Sequence, residues 1–177
     1  MRIIGGIHRG RIIARVEKET TRETADMVRQ AVFNMLGGTL FGSVLDLFAG
    51  SGAYGLEALS RGADHAYLID KDHDACRTIK ENAALLKLND KVTILPVDYQ
   101  RFLENLSSDQ IFDVIFLDPP YAMNIYHDVI SQLRTHLAPE GRIVCESIKS
   151  LILPDQILDL HKIKDKIYGI KRISIYQ

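Results

Sequence analysis

One stretch of this chain leaves few choices of fold. Val44-Leu45-Asp46-Leu47-Phe48 runs as a short apolar strand into Ala49-Gly50-Ser51-Gly52-Ala53-Tyr54-Gly55, and the helix-forming Leu56-Glu57-Ala58-Leu59-Ser60 follows at once. Strand, glycine turn and helix in that order form the nucleotide-binding half of an open α/β sheet, because glycine lets the backbone approach a ligand closely. Gly50, Gly52 and Gly55 satisfy GxGxxG, and Asp70 lies 20 residues after Gly50, closing a second apolar run, Ala66-Tyr67-Leu68-Ile69. An acid there can hold the two hydroxyls of a ribose. The motif alone does not separate a nicotinamide dinucleotide from S-adenosylmethionine.

A second feature narrows the choice. Phe112-Asp113-Val114-Ile115-Phe116-Leu117 reads as a buried strand and opens onto Asp118-Pro119-Pro120-Tyr121. Proline fixes its own φ and has no N–H, so this turn presents an acid, pinned carbonyls and an aromatic face. It suits a flat ring bearing an amino group, although Pro-Pro also ends ordinary strands. Asp46 then discriminates between ligands. An anion just before the glycine turn repels a pyrophosphate but attracts a sulfonium ligand carrying an ammonium group. The methyl-donor reading is preferred.

The rest of the pattern extends this half into a full sheet. Strands are expected at 43–48, 65–70, 92–97, 112–117 and 141–146, and helices at 53–61, 73–87, 99–105 and 125–136. Asp72-His73-Asp74-Ala75 followed by Ile79, Asn82 and Leu86 marks the helix after Asp70. Leu160–Ile167 and Ile170–Tyr176 are β-like runs split by Tyr168-Gly169, too close for a helical crossover, so they pair antiparallel. Upstream, residues 2–16 read as a β-hairpin with Arg9 and Arg11 at its tip. A helix over 25–36 follows, capped by Thr24, with Val28, Val32 and Leu36 on one stripe and Gly37-Gly38 ending it. The expected fold is α/β, a Rossmann-like, doubly wound, mostly parallel sheet with an antiparallel C-terminal hairpin. An N-terminal hairpin and helix precede it. One domain over 1–177 is expected, its core at 43–177 and an extension at 1–36.

Composition sets limits on partners. No run approaches the 18 apolar residues of a membrane span, and Met1-Arg2-Ile3-Ile4-Gly5-Gly6 lacks the apolar region of a secretory signal. A cytoplasmic chain is expected. Cys76 and Cys145 have no Cys or His at zinc-ligand spacing, and the six histidines form no HxxxH pair, so free thiols and no metal are expected. Net charge is −1, but it is unevenly spread: residues 1–29 and 149–177 each carry +3, and residues 30–148 carry −7. Basic ends on an acidic body suggest phosphate contacts at the termini, against the plainer alternative of solvated charged surfaces. Arg9, Arg11, Arg22 and Arg29 are the candidates, with Lys162, Lys164, Lys166, Lys171 and Arg172 behind them.

On these motifs the chain resembles the class I methyltransferases, and within them the bacterial 16S ribosomal RNA guanine-N2 methyltransferase family that modifies guanine 966. The resemblance rests on Met1–Gly6 with Arg9-Gly10-Arg11, Arg29–Leu36, Asp46–Gly52, Glu57–Ala63, Asp118–Tyr121 and Tyr168-Gly169. It covers almost the whole chain. The family usually has Arg-Pro-Thr where this chain has Arg22-Glu23-Thr24, and a smaller aliphatic residue is common at Tyr54. The resemblance implies that Asp46 and the backbone of Phe48, Ala49, Gly50, Ser51 and Gly52 hold the methionine part of S-adenosylmethionine. It gives Asp70 the ribose hydroxyls, adds Lys71 to the cofactor-binding residues, and gives Asp98, with Tyr99 beside it, the adenine, although Asp98 also suits a helix N-cap. Asp118 and Pro119 would accept hydrogen bonds from the amine, with Asp118 also bordering the cofactor, and Tyr121 would stack on an extruded base. The implied partner is 16S rRNA within an assembled or assembling small subunit, met by a monomer.

Other classes remain in view. An NAD-dependent oxidoreductase would explain GxGxxG but leaves Asp118–Tyr121 unused. A non-catalytic RNA-binding module would explain the basic ends but not the cofactor turn. A methyltransferase acting on DNA adenine, another RNA base or a glutamine amide could use the same turn, but it needs a larger target-recognition region.

Overall fold

A computed structural model describes residues 1–16, 22–120 and 123–177, with residues 22–25 described by backbone alone. The order is α1 (Arg22–Met35), β1 (Ser43–Asp46), α2 (Ala53–Ser60), β2 (His65–Ile69), α3 (His73–Leu85), β3 (Val92–Leu95), α4 (Tyr99–Glu104), β4 (Phe112–Leu117), α5 (Tyr126–Leu133), β5 (Leu137–Ile148), β6 (Gln156–Ile157), β7 (Leu160–Tyr168) and β8 (Lys171–Tyr176). The strands form one sheet, ordered β3-β2-β1-β4-β5-β8-β7-β6. The first five are mutually parallel, and β8, β7 and β6 each run antiparallel to the strand before them. The strand order reverses direction at β1, where the chain steps from β3 across to β4. Ligands of such sheets bind outside the carboxyl ends of the strands at this point.

Both faces of the sheet are covered. Val28, Val32 and Phe33 of α1, with Leu36 just after it, pack with Leu56, Leu59, Ile79, Phe116 and Val144 on one side. Val129, Ile130 and Leu133 of α5 pack with Leu45, Ile115, Ile143 and Tyr176 on the other. This two-sided burial is why the parallel strands read as continuous apolar runs.

Several boundaries differ from expectation. Helix α1 begins at Arg22, so Thr24 lies inside it and is not its cap. Strand β5 is twice the expected length. Its register against β4 jumps from Phe112–Leu137 to Val114–Arg142, so Ala138-Pro139-Glu140-Gly141 is absorbed as an irregularity within the strand. At the N-terminus the chain does double back antiparallel, through the single bridge Arg2–Ile12 and a 3-10 turn at Gly6–His8, without a regular ladder. The C-terminal hairpin turns one residue later than expected: Tyr168 pairs with Lys171, and Gly169 takes φ +61°.

Candidate active site

The carboxyl ends of β1, β2 and β4 converge on the glycine turn. Asp46 ends β1 and is 1% exposed, and it accepts a hydrogen bond from the Gly55 N–H at 3.2 Å. Burial pushes its carboxyl up to about 7; Asp70 and Glu146 add to the rise, and the N–H groups of Gly55 and Phe48 oppose it. A carboxylate whose described neighbours are backbone N–H groups and like charges is matched to a cationic ligand.

The turn itself is tied down on both sides. The Ala49 N–H donates to the Ile69 carbonyl at 2.9 Å, and the Gly50 N–H donates to Asp70 Oδ2 at 2.8 Å. Asp70 Oδ1 accepts from the Asp72 N–H at 2.9 Å, so its carboxylate is oriented by two backbone donors and remains partly exposed. Gly52 caps α2 at φ +80°, which disfavours any residue with a Cβ. A Cβ at Gly55 would lie 2.1 Å from Leu68 Cδ2, so this glycine lets α2 lie close against the sheet.

Beside the turn, Phe48 and Tyr99 rings stand 5.4 Å apart and tilted by 46°, both partly exposed. Asp98 is exposed and accepts from the Arg101 N–H at 3.0 Å, which makes it the N-cap of α4 and leaves lone pairs for a further donor. Lys71 is exposed. Asp118 leaves the end of β4 partly exposed, Pro119 is buried and Pro120 is exposed. The Met123 N–H donates to the Pro120 carbonyl at 2.9 Å. Tyr121 lies outside the described residues. Among the described residues no group of three or more His, Cys, Asp or Glu is arranged to hold a metal ion.

The basic candidates separate sharply. Arg9 and Arg11 are exposed. Arg22 sits at the start of α1, its side chain outside the described set. Arg29 does not fit a phosphate contact. It is 2% exposed, and its guanidinium bonds the Arg2 carbonyl at 2.5 Å and Asp26 at 3.0 Å and lies 3.7 Å from Glu57. Lys162 also turns inward, to the Leu153 carbonyl and Asp155, both at 2.9 Å. Lys171 pairs with Glu146, and Arg172 lies 3.5 Å from Asp165. Lys164 and Lys166 are exposed.

Three buried polar residues were not among the expected site residues, and each interrupts an apolar pattern. Glu57, 0% exposed in α2, accepts from the Ile4 and Gly5 N–H groups, each at 2.7 Å, and from Arg61 Nε at 2.8 Å. Asn82, 1% exposed in α3, accepts from the Ala14 N–H at 2.7 Å and donates to the carbonyls of Ala14 and Ser51, both at 3.0 Å. These two side chains, with Ser60 accepting from the His8 N–H at 2.9 Å, staple the arginine-bearing N-terminal segment to the helices flanking the glycine turn. Glu146, 2% exposed in β5, is the third.

A doubly wound sheet with this glycine turn, a buried acid before it and an acid-proline turn on the next strand defines a class I, S-adenosylmethionine-dependent methyltransferase. The same fold, at 18% identity and a TM-score of 0.70 over 89% of this chain and 50% of the other, occurs in the M. jannaschii tRNA m1G37 methyltransferase. The chain belongs to the family described as conserved hypothetical protein 95, whose model matches residues 1–177. Bacillus subtilis YlbH, named a putative rRNA methyltransferase, is 36% identical over 100% of this chain and 98% of its own. The Haemophilus influenzae protein named ribosomal RNA small subunit methyltransferase D is 35% identical over 100% of this chain and 93% of its own. A solved Streptococcus pyogenes structure, titled a conserved hypothetical protein, is 39% identical with a TM-score of 0.79, covering 84% of this chain and 93% of its own.

Proposed function

We propose that this chain methylates the exocyclic N2 amine of guanine 966 in 16S ribosomal RNA, using S-adenosylmethionine. The observation that carries this reading is the adjacency of two sites: the buried Asp46 and glycine turn close β1, and Asp118-Pro119-Pro120 closes its parallel neighbour β4. The relatives named as small-subunit rRNA methyltransferases support the RNA substrate.

The cofactor would supply an electrophilic methyl group, its S–CH3 bond breaking as the N2–CH3 bond forms and S-adenosylhomocysteine leaving. The methylated N2 then gives up one proton, to Asp118 or to water, and no covalent enzyme intermediate is needed. Asp46 and the backbone of Phe48–Gly52 hold its charged methionine end. Asp70 and Lys71 face the ribose, and Asp98, Tyr99 and Phe48 frame the adenine. The guanine N2 lone pair is delocalised into the ring, so the nitrogen must become pyramidal to attack. The Asp118 carboxylate and Pro119 carbonyl accept from its two N–H bonds and stabilise the charge that develops. Positioning supplies most of the remaining acceleration. Tyr121 stacks on the extruded base, and Arg9, Arg11 and Arg22 hold phosphates of an assembled or assembling subunit. The enzyme acts as a cytoplasmic monomer.

Labelled methyl transfer to free rRNA, small subunits and large subunits, followed by nucleoside analysis, tests the reading. N2-methylguanosine in small-subunit RNA is expected. Methyladenosine, or label confined to the large subunit, would overturn it.

A further inference from the structure

Glu146 is a buried acid that directly follows the apolar Ile143-Val144-Cys145 of β5, and the chemistry above does not use it. The register pairs Phe116 with Val144 and Leu117 with Cys145, which sets Glu146 next in line, beside Asp118. Three contacts converge on it. The Tyr54 hydroxyl donates to Glu146 Oε2 at 2.6 Å, Lys171 Nζ pairs with Oε1, and the Tyr126 hydroxyl donates to the Glu146 carbonyl at 2.5 Å.

Each partner belongs to a different wall of the site. Tyr54 sits in the first turn of α2, directly after the glycine turn, and its ring stacks on Phe116 at 4.9 Å and 19°. Phe116 lies two residues before Asp118. Tyr126 opens α5, where regular structure resumes after the Asp118 turn. Lys171 belongs to the antiparallel strand β8. Residue 146 is therefore bonded to the helix of the cofactor turn and to the far end of the amine-binding turn, while lying level with its near end. Burial, then the charges of Glu146 and Asp118, push the Tyr54 hydroxyl well above its ordinary pKa, so it stays a protonated donor. An ion pair at such a depth is often replaceable by well-packed apolar residues without loss of stability, so stability alone does not account for it.

We propose that Glu146 is a positioning residue for methyl transfer, holding the Asp118 turn in register with the glycine turn through Tyr54. This rests on Asp118 being the amine acceptor. Tyr54→Phe keeps the ring stack and removes only the hydroxyl; Glu146→Leu removes the carboxylate; Glu146→Gln keeps an acceptor for Tyr54. In variants whose thermal unfolding shows them folded, Tyr54→Phe and Glu146→Leu should lower kcat about tenfold or more, the scale of small misplacements. Cofactor affinity should stay within about twofold of wild type, and Glu146→Gln should recover much of the lost rate. If Glu146→Leu does not fold, Tyr54→Phe decides. Wild-type kcat in the folded variants would overturn the proposal, and so would a cofactor affinity that falls in step with kcat. Asp118→Ala in the same assay separates the two readings: if it turns over normally, the amine-acceptor assignment fails. If Asp118→Ala is inactive while the Tyr54 and Glu146 variants are normal, only the positioning role fails.

Discussion

The N-terminal clamp and the cofactor cleft each bury a carboxylate, and they treat it in opposite ways. Glu57 is 0% exposed and faces Arg61, Arg29 and two backbone N–H groups, so its charge is fully answered. Asp46 is 1% exposed and has like charges, Asp70 and Glu146, as electrostatic neighbours. A buried acid surrounded by cations holds a structure together. A buried acid left short of positive charge is a site waiting for a cation. Burial alone would have ranked the two residues equally.

The comparison predicts its largest effect at Glu57. Glu57→Ala takes the counter-charge from the largely buried Arg61, leaves Arg29 with Asp26 alone, and frees two backbone donors of the N-terminal segment. Removing one partner of a buried pair costs about 3–5 kcal/mol, to be read from urea unfolding. A loss near that of an exposed pair would mean that the clamp is not what holds residues 1–16 to α2.

Asp46→Asn should do the reverse. Burial raises the Asp46 carboxyl to about 7, above its ordinary value of 3.8, so the folded chain binds this proton more tightly than the unfolded one. Its contribution to stability is therefore lost as pH rises from the ordinary value through the folded one. The asparagine variant should lose that dependence and be no less stable than wild type above pH 7. Cofactor affinity should fall, by about 1.5–3 kcal/mol for one charge-assisted hydrogen bond. In wild type, S-adenosylmethionine should bind more tightly as pH rises toward about 7, releasing a proton below it, because the cation favours ionised Asp46. Calorimetry in buffers of different ionisation enthalpy detects that proton. Equal heats, or unaltered affinity in Asp46→Asn, would remove Asp46 from the cofactor site.

What could be read from the sequence follows from where the information lies. The parallel series was legible because strands buried on both faces are continuous apolar runs, and Gly50, Gly52 and Gly55 mark a turn whose chemistry is local. The place of Asp46 at the end of β1 was legible because the glycine turn follows it directly in the chain. Arg29 was not: an arginine on an amphipathic helix faces solvent unless a distant acid draws it in, and Glu57 does so from another helix. Strand β5 was read as starting only at 141 because Pro139 signals a loop, while the sheet absorbs that stretch in a register shift. Glu146 stood in plain view inside Ile143-Val144-Cys145-Glu146, yet its partners Tyr54 and Lys171 lie on elements far apart in the chain.

The smallest predicted effect tests what the clamp is for. Both termini carry +3, but the structure uses those charges differently. At the C-terminal end, Lys162, Lys171 and Arg172 are drawn to internal acids or carbonyls, leaving Lys164 and Lys166 exposed on β7. At the N-terminal end, Arg9 and Arg11 stay exposed on a segment whose backbone is fixed by Glu57, Ser60 and Asn82. Both pairs stand on ordered backbone, since Lys164 and Lys166 are laddered to β8. A guanidinium meets a phosphate with a bidentate fork and an ammonium does not, so the arginines should bind and the lysines should contribute less. Arg9→Ala with Arg11→Ala should flatten the salt dependence of RNA binding by about one unit of slope for each phosphate that is no longer neutralised. Lys164→Ala with Lys166→Ala should change the slope by less than the arginine pair does. Cofactor affinity should be unchanged in both. Equal slopes for the two double variants would show that net charge, not the place or chemistry of the arginines, governs RNA capture, and the clamp would then be a device of stability alone.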